Sequence, residues 1–408
     1  MAQWLQDRWF LRIVLVGLVV RATLAALVPP GFDEAYYGVF AFHPAWGYFD
    51  HPPAVAVTAG IGMWLTGVVT AYTLRIGALL LFLGTSLVLY RLVLEMVNRT
   101  AAVWSVFFLH VTPYFFYGMG AFVIPDNALG FFWLLTLYFM WKVYQTQNPR
   151  WFLAVGASTG LALLAKYHAV LLIGSIGYVL LFYRGWRKYL KTPYPYLGLI
   201  LAVLIFLPNI LWNAAHQWIS YRYQFGKGGG RHLSLTLFYQ GILVQLGYLL
   251  PWIAYWLIKS TVDILRTRQR QYLWLLPFIL FPIGIFTAIG ATRPILPHWP
   301  MPGYLGAFVL VGMLIYRWEP VTRKRIAYGS VALILFLGAL VGVQAVTGIL
   351  PLDLKADVTL DGQGWEQAVA AVTARSDFDP EQAFLFTHKW FTGGEVAFAD
   401  GNRHVVTV

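Results

Sequence analysis

The chain contains repeated apolar stretches that are long enough to cross a bilayer, and this feature limits its fold more than any other. A spanning helix needs about 20 apolar residues. Charged residues make up only 11% of this chain, whereas soluble domains usually carry about 25%. The sequence therefore predicts an all-α polytopic membrane protein with about eleven transmembrane helices. The candidate spans are 10–28, 72–94, 101–118, 128–145, 151–165, 168–183, 194–212, 237–258, 272–290, 299–316 and 326–347.

Two of the apolar stretches need separate interpretations. The first, 10–28, lacks a small-residue cleavage signal and runs into two prolines, so we expect a retained helix rather than a signal peptide. The stretch 54–70 follows another pair of prolines, and we expect it to lie in, or dip into, the membrane interface.

The distribution of basic residues predicts the topology. Most of the 29 Lys and Arg residues lie in alternate short loops, and the positive-inside rule makes those loops cytoplasmic. We therefore expect the N-terminus inside and the C-terminus outside. The loops on the predicted outer side hold few cations, but they carry acids, histidines and aromatic residues.

The character of the chain changes near residue 348. Residues 351–408 hold nine of the 17 acidic residues and read as water-soluble. This predicts a membrane domain over 1–347 and a small α/β outer segment over 348–408. Within that segment, "GWEQAVAAVTARS" predicts a helix, while "AFLFTH" and "HVVTV" predict strands. The segment is too short to bury a large core of its own, so we expect it to lean on the bundle.

Three acidic motifs border the predicted outer face. Asp33 and Glu34 follow the first helix, where an N-cap is one alternative to a functional pair. Asp50 and His51 lie in "YFDHPP", whose prolines fix an extended backbone. Asp126 opens a helix in "IPDNALGFF", and capping explains it as well as function does.

Several cations face the same predicted side. Lys166 lies between two apolar runs and suits either an anion contact or a snorkelling lysine. The glycine-rich loop 213–232 suits either a plain surface loop or a lid over an anionic substrate. Residues of that loop and of the next outer loop complete the candidate set: Arg222, Arg231, His232, Arg293, His298 and Tyr304. Arg75, inside the second predicted span, needs a partner, and a structural ion pair is as good an explanation as substrate binding.

Carboxylates and cations within an apolar wall suit a substrate whose phosphate leaving group carries a long lipid chain. Cations would hold the phosphate as its bond breaks, and one carboxylate would take the proton from an attacking hydroxyl. A sugar on a polyprenyl phosphate meets these requirements. The alternative is a lipid-linked sugar flippase or a proton-coupled transporter, which also uses intramembrane acids. Transporters tend to have paired halves with matching broken helices, and the sequence has no such symmetry.

The segment "DEAYYGVFAFHPAWGYFDHPPAVA" resembles the first outer loop of the lipid-carrier-dependent glycosyltransferases of the GT-C class. It is most similar to the bacterial branch related to protein O-mannosyltransferases and to the aminoarabinose transferases of lipid A. The stretches "PDNALGFFWLL", "LALLAKYHAVLL", "LPNILWNAAHQWISYRYQFGKG" and "RPILPHWPMPGY" follow in the same order. The resemblance implies a GT-C fold with a catalytic outer loop over 29–72.

The resemblance also implies roles for single residues. Asp33 matches the catalytic base, and Glu34 matches the neighbour that orients the site or the acceptor. Asp50 and His51 stand where the aminoarabinose enzymes have an acid and a lysine. A histidine is only partly charged at neutral pH, so we expect Lys166 and Arg231 to carry more of the phosphate contact. The expected donor-phosphate residues are His51, Lys166, Arg231 and Arg293. The expected cavity residues are Tyr36, Tyr48, Asp50, Asp126, Arg222, His232, His298 and Tyr304.

The predicted partners are a polyprenyl-phosphate sugar, a membrane lipid environment and an acceptor that is a protein, lipid A or a glycan; no nucleic acid is expected. The predicted location is the bacterial cytoplasmic membrane, with inverting transfer on its outer face. No cofactor or metal site is expected, although a divalent metal at Asp50, His51 and His232 stays an alternative. The absence of cysteine excludes thiolate metal sites.

Overall fold

The computed structural model describes residues 7–226, 232–315, 318–352, 357–376, 378–379, 382–401, 404 and 406–407. Almost all regular structure in these ranges is helical. The first half contains α1 Arg8–Leu27, α2 Phe32–Phe42, α3 Ala54–Thr66, α4 Ala71–Met96, α5 Arg99–His110, a π-helical turn Tyr114–Gly118, α6 Met119–Ala121, α7 Asp126–Thr146, α8 Trp151–Ala165, a 3₁₀ turn Tyr167–Ala169, α9 Val170–Phe182, α10 Arg184–Arg187 and a 3₁₀ turn Lys188–Lys191.

The second half continues the bundle and ends in the C-terminal segment. It contains α11 Tyr194–Ala215, α12 Ile219–Gly226, α13 Leu235–Leu249, α14 Pro251–Thr267, α15 Arg270–Leu273, α16 Leu276–Gly290, α17 Met301–Ile315, α18 Pro320–Thr347, α19 Trp365–Thr373, β1 Leu385–Phe386, α20 Trp390–Asp400 and β2 Val406–Thr407.

Side-chain caps fix the starts of several membrane helices. Asp7 accepts hydrogen bonds from the first backbone N–H groups of α1, Thr70 accepts one at the start of α4, and Asn98 accepts one at the start of α5. Each cap satisfies an N–H group that has no partner within the helix.

The chain is a multi-pass membrane protein. Among the described residues, four helices are long and apolar enough to cross a membrane: α1, α4, α11 and α18. Three helix pairs bent by more than 40° raise this number to seven if each pair is one span. The expectation of about eleven spans exceeds this count. The predicted spans 101–118, 151–165, 272–290 and 299–316 fall on α5, α8, α16 and α17, which have only 12 to 15 residues, whereas a helix needs about 20 to cross the hydrocarbon.

The interfacial helix expected over 54–70 is α3, which packs lengthwise on α4. Gly62 of α3 lies against the carbonyl oxygen of Thr73, and Gly77 of α4 lies against that of Thr58. A Cβ atom at either glycine would collide with backbone, so the small residues set the close approach of the two helices.

The C-terminal segment has the predicted helix α19 and the two predicted strands, which pair in parallel as Leu385 with Val406 and Phe386 with Thr407. Helix α20 is an addition that the sequence did not predict. It packs on α2: Phe398 lies against Gly38, and Trp390 packs edge-on to Tyr36. The segment therefore rests on the helix that carries Asp33 and Glu34.

Candidate active site

Helix α2 presents Asp33 and Glu34 in its first turn, directly after the turn that ends α1. Asp33 stays exposed, while Glu34 is buried. Desolvation by the surrounding protein, followed by repulsion from Glu34, raises the pKa of the Asp33 carboxyl above its usual range. A raised pKa makes the carboxylate a stronger base, as proton abstraction requires.

Glu34 forms a buried two-point ion pair with Arg75 of α4. The Nε–Oε1 distance is 2.9 Å and the Nη2–Oε2 distance is 2.5 Å. Arg75 also donates to the carbonyl oxygens of Ala25, Val28 and Pro29. The ion pair therefore holds together the end of α1 and the starts of α2 and α4.

Glu34 has backbone partners as well. It accepts a hydrogen bond from the N–H of Val123 at 2.8 Å and a weaker one from that of Gly31 at 3.4 Å. Both carboxylate oxygens are thus engaged by protein groups. These contacts are those of a residue that positions α2, and the expected orienting role of Glu34 toward an acceptor stays a prediction.

Asp50 and His51 lie beside α2, and His51 contacts both Asp50 and Tyr37. The hydroxyl of Tyr37 lies 3.2 Å from Nε2 of His51, and Oδ2 of Asp50 lies 3.6 Å from the same nitrogen. The expected cavity residue Tyr48 instead stacks on Phe40, at 3.8 Å between ring centroids, and its hydroxyl bonds backbone groups. Tyr48 thus supports the loop that carries Asp50 and His51.

Lys166 and Asp126 form a second buried ion pair, with 2.6 Å between Nζ and Oδ2. Their side chains are 6% and 3% exposed, which argues against a snorkelling lysine. Lys166 ends α8 in an extended conformation, so the break between two helices directs it inward. Burial and, next, the Lys166 charge lower the pKa of the neighbouring His298 to about 4, so His298 is neutral at neutral pH.

The other expected residues occupy different positions. Arg222 and His232 are exposed, and Arg231 lies outside the described residues. Arg293 lies over the ring of Trp299, with 5.8 Å to the centroid. Tyr304 donates to Oε1 of Gln245 at 3.2 Å.

The acidic motifs converge on one side chain that the sequence analysis did not select, Tyr37. Burial is the main cause that raises the pKa of Tyr37, and the charges of Asp33, Asp50 and Asp126 raise it further. Since Asp126 is bonded to Lys166, the structure brings all three acidic motifs and the lysine to one end of the bundle. We call this the Asp33 end.

The metal alternative has no geometric basis in the structure. Within the described ranges, no three His, Asp or Glu side chains cluster closely enough to hold a metal ion. His232 is exposed and lies two residues before Ser234, whose N–H bonds the carbonyl of Ala291.

An apolar groove of about 440 Å³ lies between α3, α4, α7 and α8. Its lining includes Pro53, Ala128 and Leu164. Each of these lies two residues along the chain from His51, Asp126 or Lys166, so one end of the groove is at the same level of the bundle as the polar cluster, within about 3 Å of rise along α7. Its other lining residues are almost all aliphatic or aromatic, which suits a hydrocarbon chain.

Comparison with known proteins identifies the fold. Residues 50–212 match the dolichyl-phosphate-mannose-protein mannosyltransferase family. The chain superposes on ArnT from Cupriavidus metallidurans in the apo state with a TM-score of 0.69 and 17% identity, over 98% of this chain and 85% of that one. This is the GT-C glycosyltransferase fold.

Two further structures have the GT-C fold with a lipid phosphate bound. ArnT from Cupriavidus metallidurans bound to undecaprenyl phosphate gives a TM-score of 0.68 at 17% identity, with 98% and 85% coverage. The oligosaccharyltransferase AglB from Archaeoglobus fulgidus, in complex with an inhibitory peptide and a dolichol-phosphate, gives 0.55 at 11% identity, over 99% of this chain and 64% of that one. No curated protein sequence matches the chain. The family match and the shared GT-C fold indicate a membrane glycosyltransferase.

Three parts of the candidate site were not selected from the sequence: Tyr37, Tyr114 and α20. Tyr114 lies near the carboxylate of Asp126, in an aromatic run that reads as ordinary helix. Glu395 of α20 is 2% exposed. Burial and the charges of Asp361 and Glu34 raise its pKa to about 8. No sequence signal marks Glu395, because its environment is made by docking α20 on a distant helix.

Proposed function

We propose that this chain is an inverting glycosyltransferase that moves a sugar from a polyprenyl-phosphate carrier to a hydroxyl or amine acceptor. The single observation that carries the proposal is the apolar groove that ends at the level of the polar cluster, at the Asp33 end. A lipid-linked donor needs both parts in one place, since its tail is hydrocarbon and its reacting bond joins a sugar to phosphate.

Lys166 is the main candidate for the donor phosphate. Its Nζ donates one recorded hydrogen bond, to Asp126, and an ammonium group has three donors. The ion pair with Asp126 fixes the direction of the buried side chain. We assign His51 and Arg293 to the same phosphate as secondary contacts, because His51 precedes the groove residue Pro53 by two positions and Arg293 is on the loop that contains His298.

Asp33 is the proposed general base. It removes the proton from the acceptor, whose oxygen or nitrogen then attacks the anomeric carbon from the face opposite the phosphate. The bond between this carbon and the phosphate oxygen breaks, and the lipid phosphate leaves with the electron pair. The cations stabilise that developing charge, and a single carboxylate suffices for inversion.

The proposed setting is the outer face of a bacterial cytoplasmic membrane, with the N-terminus inside. The distribution of cations supports this orientation. The predicted outer loops are those that meet at the Asp33 end, and α20 covers α2 there. The acceptor class, protein, lipid A or glycan, is left open.

Purified protein in vesicles loaded with a polyprenyl-phosphate sugar tests this function against transport. We expect release of free lipid phosphate that depends on added acceptor. Movement of intact donor across the bilayer, without release of lipid phosphate, would contradict the proposal and favour a flippase.

A further inference from the structure

A second apolar groove lies away from the Asp33 end. It has a volume of about 620 Å³ and runs between α1, α5 and α18, a size typical of small-ligand sites. Its walls are mainly apolar. Lining side chains include Val16, Val103, Phe107, Val331 and Leu335.

The length of the groove matches one leaflet of a bilayer. On α1 the lining extends from Trp9 to Val20, and on α18 from Lys324 to Leu335. At 1.5 Å per residue both stretches are about 16 Å long, and half of a 30 Å hydrocarbon core is about 15 Å. The two helices run in the same direction, since Leu24 near the end of α1 packs against Gly342 near the end of α18.

The end of the groove that lies deepest in the membrane is closed by His110, the last residue of α5. This residue is buried and engaged on both ring nitrogens: Nε2 lies 2.9 Å from Oγ of Ser86, and Nδ1 lies 3.3 Å from Nη1 of Arg21. Arg21 in turn lies over the ring of Phe82. A chain entering from the mouth would therefore stop within the bundle at about mid-membrane depth.

The mouth of the groove is cationic. Arg12, Arg99 and Lys324 line it, and all three are exposed. The nearby acid, Asp7, is 2% exposed and already accepts hydrogen bonds from Tyr90, Arg99 and the backbone. The mouth thus retains net positive charge at the depth of lipid head groups.

We infer that this groove binds one anionic phospholipid, with an acyl chain between α1, α5 and α18 and its phosphate at Arg12 and Lys324. The charge of the mouth favours an anionic lipid over a zwitterionic one, because each basic side chain near an anionic surface adds attraction. The site is separate from the proposed donor site. Arg12 lies in the second turn of α1, whereas Asp33 follows the far end of this helix, about 22 Å away along its axis.

Native mass spectrometry of the full chain tests the inference, with dioleoyl phosphatidylglycerol and dioleoyl phosphatidylcholine as probes. We expect one phosphatidylglycerol to be retained selectively at low salt. The variant Arg12→Gln/Lys324→Gln should lower that retention about 30-fold, the combined effect of two basic contacts. The matched control, Arg184→Gln/Lys191→Gln, removes two exposed cations that do not line the groove, and it should retain the lipid.

A second variant tests the groove itself without removing charge. Val331→Trp fills a half-exposed lining position, so it should fold while displacing the lipid. Inorganic phosphate should not compete, since the acyl chain supplies part of the binding. Equal retention of both lipids by the wild-type protein, equal loss in the control variant, or undiminished retention in either groove variant would overturn the inference.

Discussion

The ion pair between Glu34 and Arg75 gives a prediction of known size. Arg75→Leu removes the two hydrogen bonds to Glu34 and leaves a buried carboxylate without its cation. Breaking a buried pair in this way lowers the free energy of unfolding by about 3–5 kcal/mol. It also leaves the carbonyl groups of Ala25, Val28 and Pro29 without the Arg75 donor, so we expect a loss at or above the upper end of that range.

The assay is chemical unfolding in detergent, followed by the fluorescence of the 18 tryptophans. Arg91→Leu is the matched control, because Arg91 is also on α4 and pairs with Glu95 at 3.3 Å on a partly exposed surface. Such a pair contributes about 0.3–0.5 kcal/mol. The double variant Glu34→Leu/Arg75→Leu should lose less than Arg75→Leu, since no unpaired charge remains. If Arg75→Leu costs no more than Arg91→Leu, the positioning role of the ion pair is refuted.

Three further predictions concern donor binding, pH and orientation. Lys166→Ala should weaken donor affinity about 10- to 100-fold, the value of a hydrogen bond to a charged group. The control Lys142→Ala removes a cation paired with Glu95 and should leave donor affinity intact. Equal effects of the two variants would argue against a phosphate contact at Lys166. The pKa of Glu395 is about 8 in the folded protein, against a usual value of 4.5, so between these values the folded state holds a proton that the unfolded state loses. The free energy of unfolding should therefore fall by at most about 5 kcal/mol as pH rises from 4.5 to 8. Glu395→Gln should flatten the pH dependence of α20 protection in hydrogen exchange, and an unchanged slope would exclude this carboxyl as its cause. The chain has no cysteine, so in intact cells an impermeant maleimide should label Phe49→Cys but not Lys191→Cys; the reverse pattern would invert the proposed topology.

The helical membrane architecture could be predicted from the sequence because it depends on local composition. Long apolar runs and capping residues such as Asp7 and Asn98 are visible in the chain itself. The number of spans was less predictable, since α3 and α8 are apolar but have only 13 and 15 residues. Whether such a helix crosses, tilts or lies in the interface depends on its neighbours and not on its composition.

The candidate site divides in the same way. Asp33, Asp50, Asp126 and Lys166 were selected because ionisable residues are rare in apolar surroundings, and the structure brings them together. The partners of these residues could not be predicted, because they come from distant parts of the chain. Tyr37 lies between the acidic motifs only after folding.

For two cations the structure distinguishes between alternatives that the sequence left open. Arg75 was left between a structural and a substrate role, and its contacts with Glu34 and three carbonyl groups favour the structural one. Lys166 was left between a snorkelling and a functional role. Its burial against Asp126 excludes snorkelling and leaves the phosphate contact as a prediction.

The central claim is that Asp33 takes the proton of the acceptor. Its raised pKa predicts that transfer falls when pH drops through a value above the usual range of an aspartate. The most direct measurement is single-turnover transfer of sugar from polyprenyl phosphate by Asp33→Asn, with Asp361→Asn as the control for loss of a nearby acid. We expect Asp33→Asn to lower the rate about 10²- to 10⁴-fold with donor binding unchanged, and Asp361→Asn to turn over normally. Full turnover by Asp33→Asn would contradict the account.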